Sequence, residues 1–148
     1  MNLKMKPQRI AFDLDETLGT PIIHNNSIIG FNLRTGCHEL LTELAQDHDL
    51  ILWTVSTRSY VEKVLAYGLT GYFKEIYSWD ELACEWKDIR RIHVDYLIDD
   101  SPHHQDEAQK YGLESHYIVV PAYGSPEDCQ DALLWVKQIW VALKGEAI

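Results

Sequence analysis

The stretch Ile10-Ala11-Phe12-Asp13-Leu14-Asp15-Glu16-Thr17-Leu18 constrains this chain more than any other. An apolar run ends in two carboxylates one residue apart, followed by a threonine. A strand interior buries Ile10, Ala11 and Phe12, but no strand buries two carboxylates cheaply. The pair therefore belongs where the strand leaves its sheet, at the carboxyl end, where open α/β sheets bind ligands. Two anions this close repel unless a cation or an anion-handling reaction occupies the space between them. Turn and cap chemistry is the bland reading of Asp and Thr here, and the rest of the chain decides against it.

The design recurs. Tyr96-Leu97-Ile98 runs into Asp99-Asp100, and Leu50-Ile51-Leu52-Trp53 runs into Thr54-Val55-Ser56-Thr57. Gln8–Asp13, Asp49–Val55, Glu75–Tyr77, Asp95–Asp100 and Ser115–Val120 read as five short strands. Helices are expected over 36–47 (capped by Thr35), 59–67 (stopped by Gly68) and 102–111 (stopped by Gly112). A broken helix carrying Lys87 is expected over 79–92. A final amphipathic helix should open at Pro126 and run through Leu133, Leu134, Val136, Ile139 and Trp140. Between the first strand and the first helix, residues 21–30 form two β-branched runs around Asn25-Asn26-Ser27. This is a small hairpin flap whose apolar residues should pack on the rim of the site. Strands alternating with helices make a parallel sheet. The expectation is a three-layer, Rossmann-like α/β fold with a central five-stranded parallel sheet, residues 1–148 forming one domain without a large cap.

Composition excludes several classes. The chain has 148 residues, of which 13 are basic and 23 acidic, a net charge of −10. That balance argues against a broad nucleic-acid surface. The basic groups Lys4/Lys6/Arg9 and Arg90/Arg91 read as solvated faces. Cys37, Cys84 and Cys129 are odd in number and match no zinc spacing. No stretch approaches the length of a membrane span, and residues 1–10 lack the apolar core of a signal peptide. A reduced, cytoplasmic protein with free thiols is the consistent expectation.

A parallel sheet gathers Asp13/Asp15, Thr54/Ser56, Lys87 and Asp99/Asp100 in one crevice. Several carboxylates there ask for a hard cation, and magnesium fits because it combines a few carboxylates with waters and phosphate oxygens. A lysine and a hydroxyl beside it are what a phosphoryl group needs. An aspartate can then serve as nucleophile. Lys74 and Arg90 compete with Lys87 for the basic role. Lys87 is preferred for its distance before Asp99 and its Lys-Asp-Ile-Arg-Arg context. His103 and His104 are expected to face solvent, Glu16 to sit in an exposed loop, and Asn25 and Asn26 to form a plain turn.

Asp13-Leu14-Asp15-Glu16-Thr17-Leu18 resembles the DxDxT motif of haloacid-dehalogenase-type phosphatases, with Thr54, Lys87 and Asp99-Asp100 similar to their second, third and fourth motifs. Leu33-Arg34-Thr35-Gly36, Leu52-Trp53-Thr54-Val55-Ser56 and Leu97-Ile98-Asp99-Asp100-Ser101-Pro102 are similar to the branch of RNA polymerase C-terminal-domain phosphatases and NLI-interacting-factor-like proteins. Thr35 stands where that branch has proline, and the stretch from Arg58 to Lys87 is shorter than its insertion. Asp100 in place of asparagine resembles other branches, among them polynucleotide 3′-phosphatases. The resemblance implies that Asp13 is the nucleophile and Asp15 the general acid and base. It implies Mg2+ held by Asp13, the Asp15 carbonyl, Asp99 and Asp100, and phosphate bound by Thr54 and Lys87, with Ser56 next in line. Thr17 would brace the loop.

The function this implies is magnesium-dependent phosphomonoester hydrolysis. A capless site suits a phosphoprotein or a nucleic-acid 3′-phosphate, or a small metabolite enclosed by another subunit of a homo-oligomer. A catalytically idle protein-binding module on the same fold is the alternative. A receiver-type phosphoacceptor domain is a third reading, disfavoured because the DxDxT lies on the first strand.

Overall fold

The computed structural model of the chain describes residues 6–144; Lys4 of the first basic group lies outside them. Five parallel strands form the central sheet: β1 (Arg9–Phe12), β4 (Asp49–Trp53), β5 (Glu75–Tyr77), β6 (Tyr96–Asp99) and β7 (Tyr117–Val119). Their order is β5-β4-β1-β6-β7, so the first strand is central and pairs with β4 on one side and β6 on the other. The chain builds one half of the sheet outward from β1, then returns to build the other. The carboxyl end of β1 is thus the switch point where such sheets open a crevice.

Both faces of the sheet are covered, which is why its strands read as unbroken apolar runs. On one face Ile10, Phe12, Leu50, Leu52, Ile98 and Ile118 pack with Leu40, Leu41 and Leu44 of helix α1 (Cys37–Ala45), Val61 and Val64 of α2 (Arg58–Leu65), and Trp135 and Ile139 of α5 (Leu134–Lys144). On the other, Ala11, Ile51, Trp53 and Leu97 meet Ile89, Ile92, Val94 and Ala108, the last from α3 (His103–Gln109). Alternation along β1 sends Ile10 and Phe12 to one layer and Ala11 to the other. Among the described residues no helix is long and apolar enough to cross a membrane, and all three cysteines are free.

Strands β2 (Gly19–His24) and β3 (Ser27–Leu33) form a separate antiparallel hairpin. Asn25 and Asn26 turn it with φ of 49° and 63°, the left-handed pair that a two-residue hairpin turn requires. It joins the core through Ile28, Phe31 and Leu33 of β3. Ile22, Ile23 and Ile29 are exposed, so the expected packing of the whole flap on the site rim does not occur. Gly19 is fixed by close approach: a Cβ there would lie 2.2 Å from the Asn32 carbonyl oxygen.

Three other expectations need correction. Residues 79–88 are irregular, and the only helical turn in the expected broken helix is a 3-10 turn at Ile89–Arg91 capped by the Asp88 side chain. The last helix is two: α4 (Pro126–Gln130) stops at Asp131, whose backbone is extended and whose carboxylate then accepts from the Leu133 amide ahead of α5. Helix α1 is not capped by Thr35. Gly36 takes the N-cap in a left-handed conformation with no side-chain cap. Helix α2, by contrast, is capped by Thr57 accepting from the Tyr60 amide.

Candidate active site

The ladder of β1 runs one residue past the strand, the Asp13 amide donating to the Ile98 carbonyl at 2.9 Å. This carries the Asp13 side chain over the end of the sheet. Asp99 closes β6 beside it, and the Thr54 amide donates to the Tyr77 carbonyl beyond β4. The three strand ends meet at a cavity of about 320 Å³. Asp13, Asp15, Thr54, Ser56, Lys87, Asp99, Asp100 and His104 line it, together with Val55 and Ser101. The residues that the sequence assigns to catalysis, phosphate and metal are therefore all brought together. Lys74, the competing lysine, pairs with Asp49 on an exposed face instead.

Lys87 is the cation of this cavity. Its side chain is 1% exposed, and Nζ donates to Asp13 Oδ1 at 2.9 Å and Asp99 Oδ2 at 2.8 Å. Burial alone would lower the ammonium's pKa, but the two carboxylates outweigh it and hold the group charged, above its ordinary value. One lysine cannot balance the anions around it. Burial first, then the Asp13 carboxylate, push Asp100 up to about 7. Burial also raises Asp99 against the pull of Lys87.

Oxygens of Asp13, Asp99 and Asp100 all lie within 4.8 Å of one another. Three carboxylates in excess of the local positive charge, with oxygen donors only, fit a hard divalent cation. They match zinc less well, because its protein sites are built mainly on Cys and His with a carboxylate as a minority ligand. Thr17 holds the group in register. Its hydroxyl lies 3.0 Å from both Asp13 Oδ2 and Asp100 Oδ1, and its oxygen accepts the Asp100 amide at 3.1 Å.

Asp15 stands apart from this cluster. Its carboxylate accepts from Ser56 Oγ at 3.1 Å and from the Tyr60 hydroxyl. Burial raises its pKa, while those two hydrogen bonds work against the rise. A carboxyl pushed toward protonation beside a cavity lined by carboxylates, hydroxyls and a lysine is suited to general acid-base work. Thr54 Oγ1 accepts the Ser56 amide at 3.1 Å, which ties the two hydroxyl residues into one turn.

Sequence reasoning misses three contributors. Tyr60 gives no signal beyond its place in the first turn of α2. Arg34 does carry one, lying in the Leu33-Arg34-Thr35-Gly36 stretch. It is 3% exposed and donates to the Thr17 carbonyl at 3.3 Å, the Pro121 carbonyl at 2.5 Å and Asp128 Oδ1 at 3.0 Å, stacked over the Trp135 ring. His104, expected in solvent, has a side chain only 12% exposed, and its Nδ1 accepts the Lys87 amide at 2.9 Å. Burial and the nearby Lys87 ammonium lower its pKa to about 4. His103, as expected, is exposed. Glu16 is half-buried rather than exposed, at φ 66°, with its carbonyl accepting the Tyr123 amide at 2.8 Å.

No curated protein matches the chain in sequence. Its fold is similar to that of fission yeast Fcp1, an RNA polymerase II CTD phosphatase solved bound to beryllium fluoride, with TM-score 0.58 and 17% identity over 80% of this chain and 42% of that one. A second Fcp1 structure gives 0.57 and 15% over 95% and 50%. A candidate beta-phosphoglucomutase of Thermotoga maritima gives 0.59 and 13% over 84% and 91%. The chain thus spans half or less of the Fcp1 chains it resembles. The profile of the NLI interacting factor-like phosphatases matches residues 9–130, and the chain belongs to that family.

Proposed function

We propose that this chain is a magnesium-dependent phosphomonoesterase working through an aspartyl-phosphate on Asp13, and that residues 1–148 form one capless domain. The observation that carries the reading is the Asp13–Asp99–Asp100 oxygen cluster beside the buried Lys87 ammonium. The side chains of Asp13, Asp99 and Asp100, with the Asp15 carbonyl, would hold Mg2+, which supplies neutralisation of charge on the transferred phosphoryl group.

A carboxylate oxygen of Asp13 attacks phosphorus as the ester P–O bond breaks. The leaving oxygen takes its proton from Asp15, which Ser56 and Tyr60 orient. Asp15 then removes a proton from water. The water oxygen attacks phosphorus, breaking the Asp13–phosphorus bond and releasing inorganic phosphate. Lys87 neutralises the phosphoryl oxygens, and Thr54 hydrogen-bonds them.

The crevice has only a hairpin, and no cap-sized segment, inserted between the first strand and α1. It is therefore suited to a phosphoprotein or a nucleic-acid 3′-phosphate, or to a small metabolite enclosed by a second copy of the chain. The acid-rich composition weighs against nucleic acid.

The test is hydrolysis of p-nitrophenyl phosphate with and without magnesium, native chain against Asp13→Asn. Metal-dependent turnover that disappears in the variant is expected. A native chain that neither turns over the ester nor binds beryllium fluoride with magnesium would sink the reading and favour an idle binding module.

A further inference from the structure

Lys87 has to be presented to the phosphate site by a segment with no regular structure, since residues 79–88 belong to neither helix nor strand. Its main chain is nevertheless held on both sides. The Lys87 amide donates to His104 Nδ1 at 2.9 Å, and the Lys87 carbonyl accepts from the Tyr117 hydroxyl at 2.7 Å. That hydroxyl oxygen in turn accepts the Ile89 amide at 2.9 Å.

A backbone amide can only donate, so Nδ1 is the acceptor and a neutral ring carries its hydrogen on Nε2. Nε2 lies 3.6 Å from Asp99 Oδ2, the same oxygen that receives the Lys87 ammonium. This is beyond hydrogen-bond distance but close enough for an N–H dipole to act on a carboxylate. His104 sits in the first turn of α3, shortly after the acidic pair, so its ring position follows the end of β6. It lines the cavity wall that Lys87 and Asp99 share.

We propose that His104 is a positioning residue for the phosphate site, its imidazole holding the Lys87 main chain through Nδ1 while facing Asp99 through Nε2–H. It locks an irregular loop from one part of the chain to the acidic strand end from another. The inference rests on the phosphatase reading above for its catalytic consequence, but the lock itself does not.

Two substitutions separate the ring's two ends. In His104→Asn the side-chain oxygen falls near the position of Nδ1 and still accepts the Lys87 amide. In His104→Gln the amide reaches toward the Nε2 position and leaves the Lys87 amide without an acceptor. With magnesium and p-nitrophenyl phosphate, His104→Ala and His104→Gln should lose about 10- to 100-fold in kcat/KM, the usual cost of removing a group that orients a metal-site ligand. His104→Asn should recover most of that loss. Hydrogen exchange of the Lys87 amide should speed up in the Ala and Gln variants and stay slow in Asn. In the native protein, nitrogen NMR of the His104 ring should show the proton on Nε2. A proton on Nδ1, an Ala variant with native kcat/KM, or an Asn variant no better than Ala would each overturn the proposal. A native chain with neither turnover nor magnesium-dependent binding of beryllium fluoride would instead overturn the phosphatase reading, with ring tautomer and Lys87 amide exchange still deciding the role of His104.

Discussion

Lys87 Nζ lies 2.9 Å from Asp13 Oδ1, joining residues 74 positions apart in the chain through a contact almost closed to solvent. Removing one partner of a buried pair typically costs about 3–5 kcal/mol, because the other charge is left uncompensated. Lys87→Met should therefore lower stability by about that amount in metal-free buffer and abolish turnover. Added magnesium should raise the variant's Tm more than the native chain's, since it alone can then offset the carboxylates. Equal Tm shifts in the two proteins would argue against a metal at this cluster.

Asp15 and Tyr60 can be told apart from Asp13, the proposed nucleophile, by leaving group. A p-nitrophenolate departs without a proton, so Asp15→Asn should still form the phosphorylated enzyme and release about one equivalent of nitrophenol in a burst. Slow turnover should follow, reduced by about 10²–10⁴. Tyr60→Phe removes only one of the two hydroxyls on Asp15 and should lower kcat by about tenfold, with the burst retained. Stopped-flow absorbance reads both, and a burst missing from Asp15→Asn would contradict its role in the second step.

Arg34 joins three parts of the chain and is closed off from solvent, so Arg34→Ala strands the Asp128 carboxylate and two carbonyls at once. A loss of about 3–5 kcal/mol is expected in urea unfolding. The paired change Arg34→Met with Asp128→Leu should regain a good part of it, because both charges then leave together. A double variant no better than the single would mean that the hydrogen bonds to Thr17 and Pro121, rather than the ion pair, dominate.

The Arg9–Glu75 pair gives a pH signature away from the site. Hydrogen bonds from Arg9, then from Tyr77, hold Glu75 down at about 2. A depressed folded-state value means that the unfolded chain takes up the proton first. The pair's contribution is complete above the unfolded carboxyl's ordinary pKa and fades as pH falls toward about 2. The pair is partly solvated, so its worth is about 1 kcal/mol. Glu75→Gln should be less stable than the native chain by that amount at pH 7, with the two curves converging below pH of about 2–3. A constant gap across the range would assign the effect to packing.

Much of this is legible from the residues because an apolar run that ends in carboxylates or hydroxyls fits a strand leaving its sheet and little else. Asp13, Thr54 and Asp99 announce strand ends, and a parallel sheet brings strand ends together. Lys87 is harder, marked only by its distance before Asp99 and its Lys-Asp-Ile-Arg-Arg context, and the loop that carries it has the pattern of a helix. Trp79, Leu82, Trp86, Ile89 and Ile92 recur at nearly helical spacing, yet Trp79 is half exposed while Ile89 and Ile92 are buried in the second layer. The break at Asp131 can be read, because an aspartate just before Leu133 and Leu134 is a helix-start signal inside an apparent helix. Tyr60 and His104 cannot: whether a tyrosine or histidine in a first helical turn points at a carboxylate or at water is decided by tertiary packing alone.

The stacking of Arg34 on Trp135, with the Trp135 indole N–H donating to the Thr35 carbonyl at 2.9 Å, has a consequence for the order in which the protein is completed. Arg34 grips the Thr17 carbonyl, and Thr17 sets the Asp13 carboxylate. While the chain emerges from the ribosome, the strand that ends in Asp13 is made well before α5, and its brace is not finished until Trp135 has arrived. Domains fold as units during synthesis, and here a nascent chain short of α5 carries every acidic group of the site without the ring that backs Arg34. The brace is complete only when α5 docks.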